Sequence, residues 1–371
     1  MKILKFFQDR EDEFISLIKE IVSFTTYSGE RESINKFLEY IQNLFAPFEP
    51  QISRIDTPAG DILTMDFFQH KQNRIVLLAH ADTVKVSDNP TAVIVKNRRL
   101  FGNGSFDMKN GICLFYFLMK SFARLGIEPS NQIRIIITPD EESGSRESMV
   151  HILRLCRGAI GVLLPEPCCP DGGVKVRRKG VASIKAELTG KASHSGIEPE
   201  KGIDANRGLA SLIFEIDRIV EAHSDLTFNP GVIKGGSKTN IVSPRSILNG
   251  ELRSYSNKIL KAASKEIEKI DRIGKVGVKI KCEVNHPALE FNDKNRHLYN
   301  IAKRCAERIG YDLPACSSGG GSDGSSISAA GIPVLDGLGM KGGGAHAENE
   351  YIELSDFPFR AAIITTLCME L

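Results

Sequence analysis

Apolar residues recur at helical spacing over residues 9–24 and 31–46, and the segments ILTMDFF and RIVLLAH that follow have the branched, apolar character of strands. The opening MKILKFFQDREDEF reads as the approach to the first helix. A helix from Lys109 to Leu125 leads into the strand QIRIIIT, a helix near 147–155 and the strand AIGVLL. This alternation predicts crossover units around a mostly parallel sheet, with chemistry at the carboxyl ends of its strands. Near Gly172 the rhythm changes: glycines and the basic KVRRKG precede VASIKAELTG, a helix near 204–222, SILNGELRSYS, a second helix and GVKIKCEV. That order predicts a strand-helix-strand-strand-helix-strand insertion built as two layers. The chain resumes with a helix near 293–309, the run CSSGGGSDGSS, a short strand around Ile332 to Leu335, GGGAHAENE and a closing helix. The expectation is an α/β protein whose mostly parallel-sheet domain, with helices on both faces, comprises residues 1–178 and 286–371. A smaller α+β domain at 179–285 interrupts it. No internal repeat occurs at a useful period.

Composition narrows the partners. The 371 residues are 42% hydrophobic and 25% charged, as expected of a soluble globular chain with two domains. Lysine plus arginine (48) nearly cancels aspartate plus glutamate (46), so no long-range field favours nucleic acid or an acidic membrane. Aromatics make up 7% and tryptophan is absent, which leaves a base-stacking platform unsupported. No apolar run reaches the roughly 18 residues of a membrane span, and ICLFYFLMKSF is better placed in a core. The N-terminus lacks the pattern of a signal peptide. Eight sparse cysteines without repeated CxxC pairs point to the reducing cytoplasm, and Cys168 and Cys169 read as two small buried hydrophobes beside a turn.

Five places carry residues that bind metals. RIVLLAH delivers His80 at a strand end, with Asp82 two positions on; imidazole can ligate while a carboxylate fixes its tautomer. In FGNGSFDMKNG, Asp107 stands before a helix, where its two oxygens suit either a cap or a bridge between two ions. After QIRIIITP, the acids Asp140, Glu141 and Glu142 crowd together at a cost that cations would relieve. Glu166 follows another strand-like run, and His346 and Glu350 lie in a glycine-rich loop. Taken singly, each has an ordinary alternative: a loop hydrogen bond, a helix cap, an acidic helix start or turn chemistry. Together they form a nitrogen and oxygen donor set suited to Zn²⁺, Mn²⁺ or Co²⁺, and a two-metal site is suited to amide hydrolysis.

In this order, HADT, Asp107, the DEE of Asp140 to Glu142, Glu166 and His346 resemble the metal-site signature of the M20 family of zinc metallopeptidases and related amidohydrolases, and the similarity extends over essentially the whole chain. The resemblance implies two Zn²⁺ per subunit, with Co²⁺ or Mn²⁺ as alternatives. His80 and Glu166 would bind one ion, Glu142 and His346 the other, and Asp107 both. It further implies that Asp82 orients His80 and that Glu141 is the general base. GKASHSGIEPEKGIDA is similar to the family's lid motif, in which His194 would stabilise the oxyanion, in cis or from a neighbouring subunit. GGSKTNIVSP and GELRS resemble lid segments that place Asn240 against substrate and Arg253 against a substrate carboxylate. SSGGGSD, with Asp323, also fits.

PEKGIDA, TNIVSP, GELRS and SGGGSD look closest to the tripeptidase-like branch, while Glu166 among the ligands also suits the glutamate carboxypeptidase-like branch. The implied activity is that of an exopeptidase on di- or tripeptides, aminopeptidase or carboxypeptidase; N-acyl amino acid deacylation and a non-catalytic metal-binding assembly are the alternatives. A homodimer through the inserted domain is implied as well. Cys168 and Asn110 depart from the family's usual residues without removing a ligand. Nucleotide chemistry is not expected, because GxxxxGK[ST] is absent and no GxGxxG opens a helix with the expected acidic follow-up.

Overall fold

The computed structural model describes residues 2–87 and 92–371. The first apolar spacings fold as helices α1 (Lys2–Gln8), α2 (Glu11–Ser23) and α3 (Arg31–Phe45). The α1 segment is itself helical, where its sequence reads only as the approach to a helix. A seven-residue helix is marginal alone, and the burial of Phe6 and Phe7 supplies what local propensity does not. Strands β1 (Gln51–Ile55), β2 (Ile62–Phe67) and β3 (Arg74–His80) follow, then the short β4 (Ile94–Lys96) and β5 (Arg99–Phe101). Next come α4 (Asn110–Leu125), β6 (Gln132–Thr138), α5 (Met149–Cys156), β7 (Gly161–Leu164) and β8 (Val174–Arg178). β3 is buried at every position after Arg74 and β7 along its whole length, the pattern of strands covered on both faces.

The inserted segment contains β9 (Gly180–Thr189), α6 (Ala205–Glu221), β10 (Thr227–Gly235), β11 (Arg245–Ser254), α7 (Asn257–Ile267), β12 (Arg272–Ile273) and β13 (Val276–His286). Its antiparallel sheet runs β10-β11-β9-β13-β12. Alternate residues of β9, among them Ala182, Ile184, Ala186 and Leu188, turn inward. α6 meets them with Leu209, Leu212 and Ile216, and begins where the Asp204 carboxylate accepts the Asn206 and Arg207 N–H groups.

The chain closes with α8 (Asp293–Glu307), β14 (Ala315–Ser318), α9 (Asp323–Ala329), β15 (Val334–Asp336), β16 (Gly342–Gly343), β17 (Tyr351–Glu353) and α10 (Phe357–Glu370). The large sheet has the order β1-β2-β6-β3-β7-β15-β8-β14. Its centre, β6, β3, β7 and β15, is parallel, while β1 on β2, β2 on β6 and β8 on β15 are antiparallel. A second small sheet runs β16-β17-β5-β4. The fold is thus α/β, with helices flanking a sheet core and a two-layer insertion.

By contacts along the chain, one unit runs to Val176 and takes in Phe291–Ser317 and Ser322–Leu371, and the other consists of Arg177–Glu290 with Ser318–Gly321. Each has its own apolar core. Cys169 is buried, as its sequence suggests, but is joined to Cys316 in a disulfide rather than packing as a free thiol; Cys168 is buried and free. The two partners lie 147 residues apart, a separation at which sequence spacing carries no pairing signal. Among the described residues, no helix is long and apolar enough to cross a membrane.

The Phe357 ring at the start of α10 stacks on Phe14 at 4.0 Å and meets Phe117 edge-on at 4.9 Å. Phe357→Ala is expected to destabilise this unit by about 3–5 kcal/mol, read as a lowered urea midpoint of its unfolding transition; an unchanged midpoint would contradict this account of the core.

Candidate metal centre

Parallel pairing assembles the centre. His80, the last residue of β3, pairs in register with Thr138, the last of β6. The chain leaves β6 into Asp140, Glu141 and Glu142, and leaves β7 into the segment carrying Glu166. Three carboxyl ends of adjacent strands therefore place acids around one imidazole. Asp107 arrives from the turn Ser105–Lys109, and His346 from the loop joining β16 to β17.

Two groups of ligating atoms result, His80 with Asp107 and Glu166, and Asp107 with Glu142 and His346. Asp107 belongs to both. Its Oδ1 lies 3.3 Å from His80 Nε2 and its Oδ2 lies 3.5 Å from His346 Nε2. His80 Nε2 is 3.9 Å from Glu166 Oε1, and His346 Nε2 is 3.0 Å from Glu142 Oε2. The other nitrogen of His80, Nδ1, is 2.8 Å from the Asp82 carbonyl oxygen, which leaves Nε2 as the nitrogen turned toward the acids. The Asp82 carboxylate accepts the N–H groups of Glu141 and Glu142, each at 3.1 Å, and the Ser28 hydroxyl at 2.7 Å. It thereby ties the β3 end to the acidic turn after β6. Ser28 carries no sequence signal, since it sits 54 residues from its partner.

The electrostatics follow from crowding. Burial pulls the His80 imidazole down, but hydrogen bonds to Asp107 and Asp82 outweigh it and hold the ring well above its ordinary value. His346 is pushed up to about 10 by its hydrogen bonds to Asp107 and Glu142. Asp107 is stabilised as a carboxylate: burial alone would raise it, yet the hydrogen bonds from His346 and His80 drive it down. Glu141 goes the other way, raised well above a normal carboxyl by burial and by the charges of Glu166, Asp323 and Asp107, against His80. Burial also lifts Asp323 to about 6, although it accepts the Ser145 hydroxyl. The donor set fits a pair of divalent cations: one carboxylate with an oxygen toward each imidazole, and a further acid beside each imidazole.

Residues expected to engage substrate lie in the inserted unit. His194 is exposed, and its Nδ1 accepts the Gly196 and Ile197 N–H groups at 3.2 Å, which leaves Nε2 as the nitrogen available to donate. Asn240 is exposed nearby, its carbonyl accepting the Ser195 N–H at 3.0 Å. Arg253 is engaged: Nε donates to Glu251 Oε1 at 2.7 Å and Nη1 to the Gly319 carbonyl at 2.9 Å. Glu251, two residues earlier on the same face of β11, escapes the sequence reading, although strand periodicity alone places the pair together.

The glycine run departs from expectation. Gly319, Gly321 and Gly324 do spell GxGxxG ahead of a helix, but α9 is only seven residues long and a Cβ on Gly324 would lie 3.1 Å from the Asp336 carboxylate. Ser322 also donates to Asp336, at 2.5 Å. A buried acid there disfavours a diphosphate.

Residues 76–370 match the family model described as peptidase family M20/M25/M40. The chain is 25% identical to carboxypeptidase G2 of Pseudomonas sp. (strain RS-16) over 374 residues, covering 98% of this chain and 90% of that one. Among solved structures, the aminopeptidase PepT from Bacillus cereus ATCC 10987 superposes with a TM-score of 0.85 at 24% identity, covering 97% of this chain and 98% of that one. A tripeptidase from Staphylococcus aureus subsp. aureus Mu50 gives 0.81 at 23% identity, with the same coverages. With four-fifths of its length matched by that model and a candidate dinuclear metal centre at its strand ends, the chain belongs to peptidase family M20/M25/M40.

Proposed function

We propose that this protein is a zinc-dependent exopeptidase that hydrolyses di- or tripeptides. The observation that carries the reading is the division of Asp107 between two ligand triads, with Glu141 adjacent in sequence to the ligand Glu142. In this reading His80 and Glu166 would hold one ion and Glu142 and His346 the other, with Asp107 offering an oxygen to each. Bound there, two divalent cations supply Lewis-acid activation of water and of the scissile carbonyl. Glu141 takes the proton of the attacking water and returns it to the departing amine. Asp82 keeps His80 oriented through the backbone contact at Nδ1. His194 donates from Nε2 to the oxyanion, and Asn240 and Arg253 bind the peptide's polar groups. Arg253 is presented by Glu251 in a fixed orientation, and a substrate carboxylate would compete with Glu251 for its fork.

A second reading keeps the same machinery and acts on N-acyl amino acids, whose single carboxylate Arg253 would read equally well. We also propose a homodimer through the inserted sheet. β10 is its edge strand and exposes Val232 and Ile233, an arrangement that invites pairing with another strand.

Three measurements check these proposals. Metal content and turnover should be followed together: wild type takes up two Zn²⁺, Asp107→Ala loses affinity for both, and His346→Ala for one. Glu141→Ala keeps both ions but loses about 10²–10⁴-fold in kcat; near-normal turnover would remove Glu141 as the base. Amine release should be measured across dipeptides, tripeptides and N-acyl amino acids. Faster release from the peptides is expected, a preference for the acyl substrates would install the second reading, and no release from any of them would leave a metal-binding protein. Equilibrium sedimentation should show a dimer that Ile233→Lys weakens, and a monomer at all concentrations would exclude the lid interface.

A further inference from the structure

The turn that carries Asp107 is not helical at that residue, which has φ −119° and ψ 96°. Its carbonyls therefore lack the partners a helix start would find further along the chain, its N–H groups have none there in any case, and buried backbone groups must be satisfied elsewhere. They are satisfied by two buried side chains. Glu350 Oε2 accepts the Gly104 N–H at 2.6 Å, and Oε1 accepts the N–H groups of Phe106 and Asp107, both at 2.8 Å. From the other side, Asn110 Nδ2 donates to the carbonyls of Ser105 at 3.0 Å and Phe106 at 2.9 Å, while its Oδ1 accepts the Met340 N–H at 3.0 Å. Glu350 is 1% exposed and Asn110 not at all.

The connectivity gives these bonds a purpose. Glu350 lies four residues after His346 in the loop between β16 and β17, and its own carbonyl accepts the Gly102 N–H at 3.1 Å. Asn110 opens α4 and reaches, through Met340, the segment that enters the same loop. One carboxylate thus ties the Asp107 turn to the loop of His346, and one amide ties that turn to the approach of the loop.

We propose that Glu350 and Asn110 are positioning residues for the metal centre. They hold the Asp107 carboxylate at the angle that lets each of its oxygens face one cation, and they hold it in register with His346. The proposal rests on the two-cation reading of the site and names what fixes its shared ligand. Glutamine at 350 would set an NH₂ donor against a backbone N–H, since all three partners of Glu350 are donors. Alanine at 110 would leave two carbonyls and the Met340 N–H without their partner.

The test is Mn²⁺ alone, titrated into metal-stripped protein, with unbound Mn²⁺ read from its electron paramagnetic resonance signal. Glu350→Gln and Asn110→Ala are each expected to weaken both binding events by about 10–100-fold, the range found for outer partners of metal ligands. Phe45→Ala, which loosens the core where that ring meets Phe48, Phe67 and Tyr116, should bind Mn²⁺ as wild type does, so that general destabilisation is separated from positioning. Should Glu350→Gln fail to fold, Asn110→Ala and hydrogen exchange on the wild type decide instead: the amides of Gly104, Phe106 and Asp107 should be protected before metal is added. Wild-type Mn²⁺ affinity in the variants, or fast exchange at those amides, would overturn the proposal. Weakened Mn²⁺ binding in a protein that hydrolyses no amide would remove the peptidase reading and leave this one standing.

Discussion

The sharing of one carboxylate between two imidazoles is the constraint from which the rest of the centre follows. Asp107 faces His80 with one oxygen and His346 with the other, and Glu166 and Glu142 complete the two triads. Two unit charges about 4 Å apart interact by about 4 kcal/mol at an effective dielectric near 20, so a buried group of acids needs positive charge close by. In this structure the imidazoles supply it, which is why both are held above their ordinary proton affinity while Asp107 is held below its own. Divalent cations would satisfy the same acids with a larger charge.

The architecture meets this constraint with backbone pairing rather than with long side chains. Parallel strands end on one edge, so the in-register ends of β3 and β6, with β7 beside β3, deliver His80, the acidic turn and Glu166 to one place. Asp82 then accepts two N–H groups of the acidic turn and so makes the β3 and β6 ends a single piece. The remaining two ligands come from loops, which a small sheet must hold. β17 pairs with β5, and this brings the His346 loop beside the Asp107 turn. Loops placed on a rigid scaffold are the usual home of such residues, and here the scaffold includes the side chains that close their hydrogen bonds.

The inserted unit obeys a different logic. Its strands β9 and β11 alternate inward and outward residues over a single layer of two helices, so each of the two presents a polar face as well as a buried one. That alternation is what sets Glu251 and Arg253 side by side and lets the acid hold the guanidinium. An arginine so held keeps one orientation without any ligand.

Local pattern determined a good deal. Helical spacing located α2, α3, α4, α6 and α8 to within a residue or two, and the apolar runs located β3, β6 and β7, because burial on one or both faces imposes its period directly on the sequence. Motif order supplied the residues His80, Asp107, Glu142, Glu166 and His346, each beside a strand end or a glycine loop. What the sequence alone did not determine depends on partners far along the chain. α1 is helical because α10 covers it, Cys169 is oxidised onto a residue 147 positions away, and Glu251 claims Arg253. Glu350 follows His346 in plain view, yet its partners are backbone N–H groups more than 240 residues earlier, and a backbone N–H is the same at every residue but proline. Side-chain chemistry and periodicity are written in the residues themselves, whereas the satisfaction of a turn's backbone is decided only when the tertiary fold brings the acceptor to it.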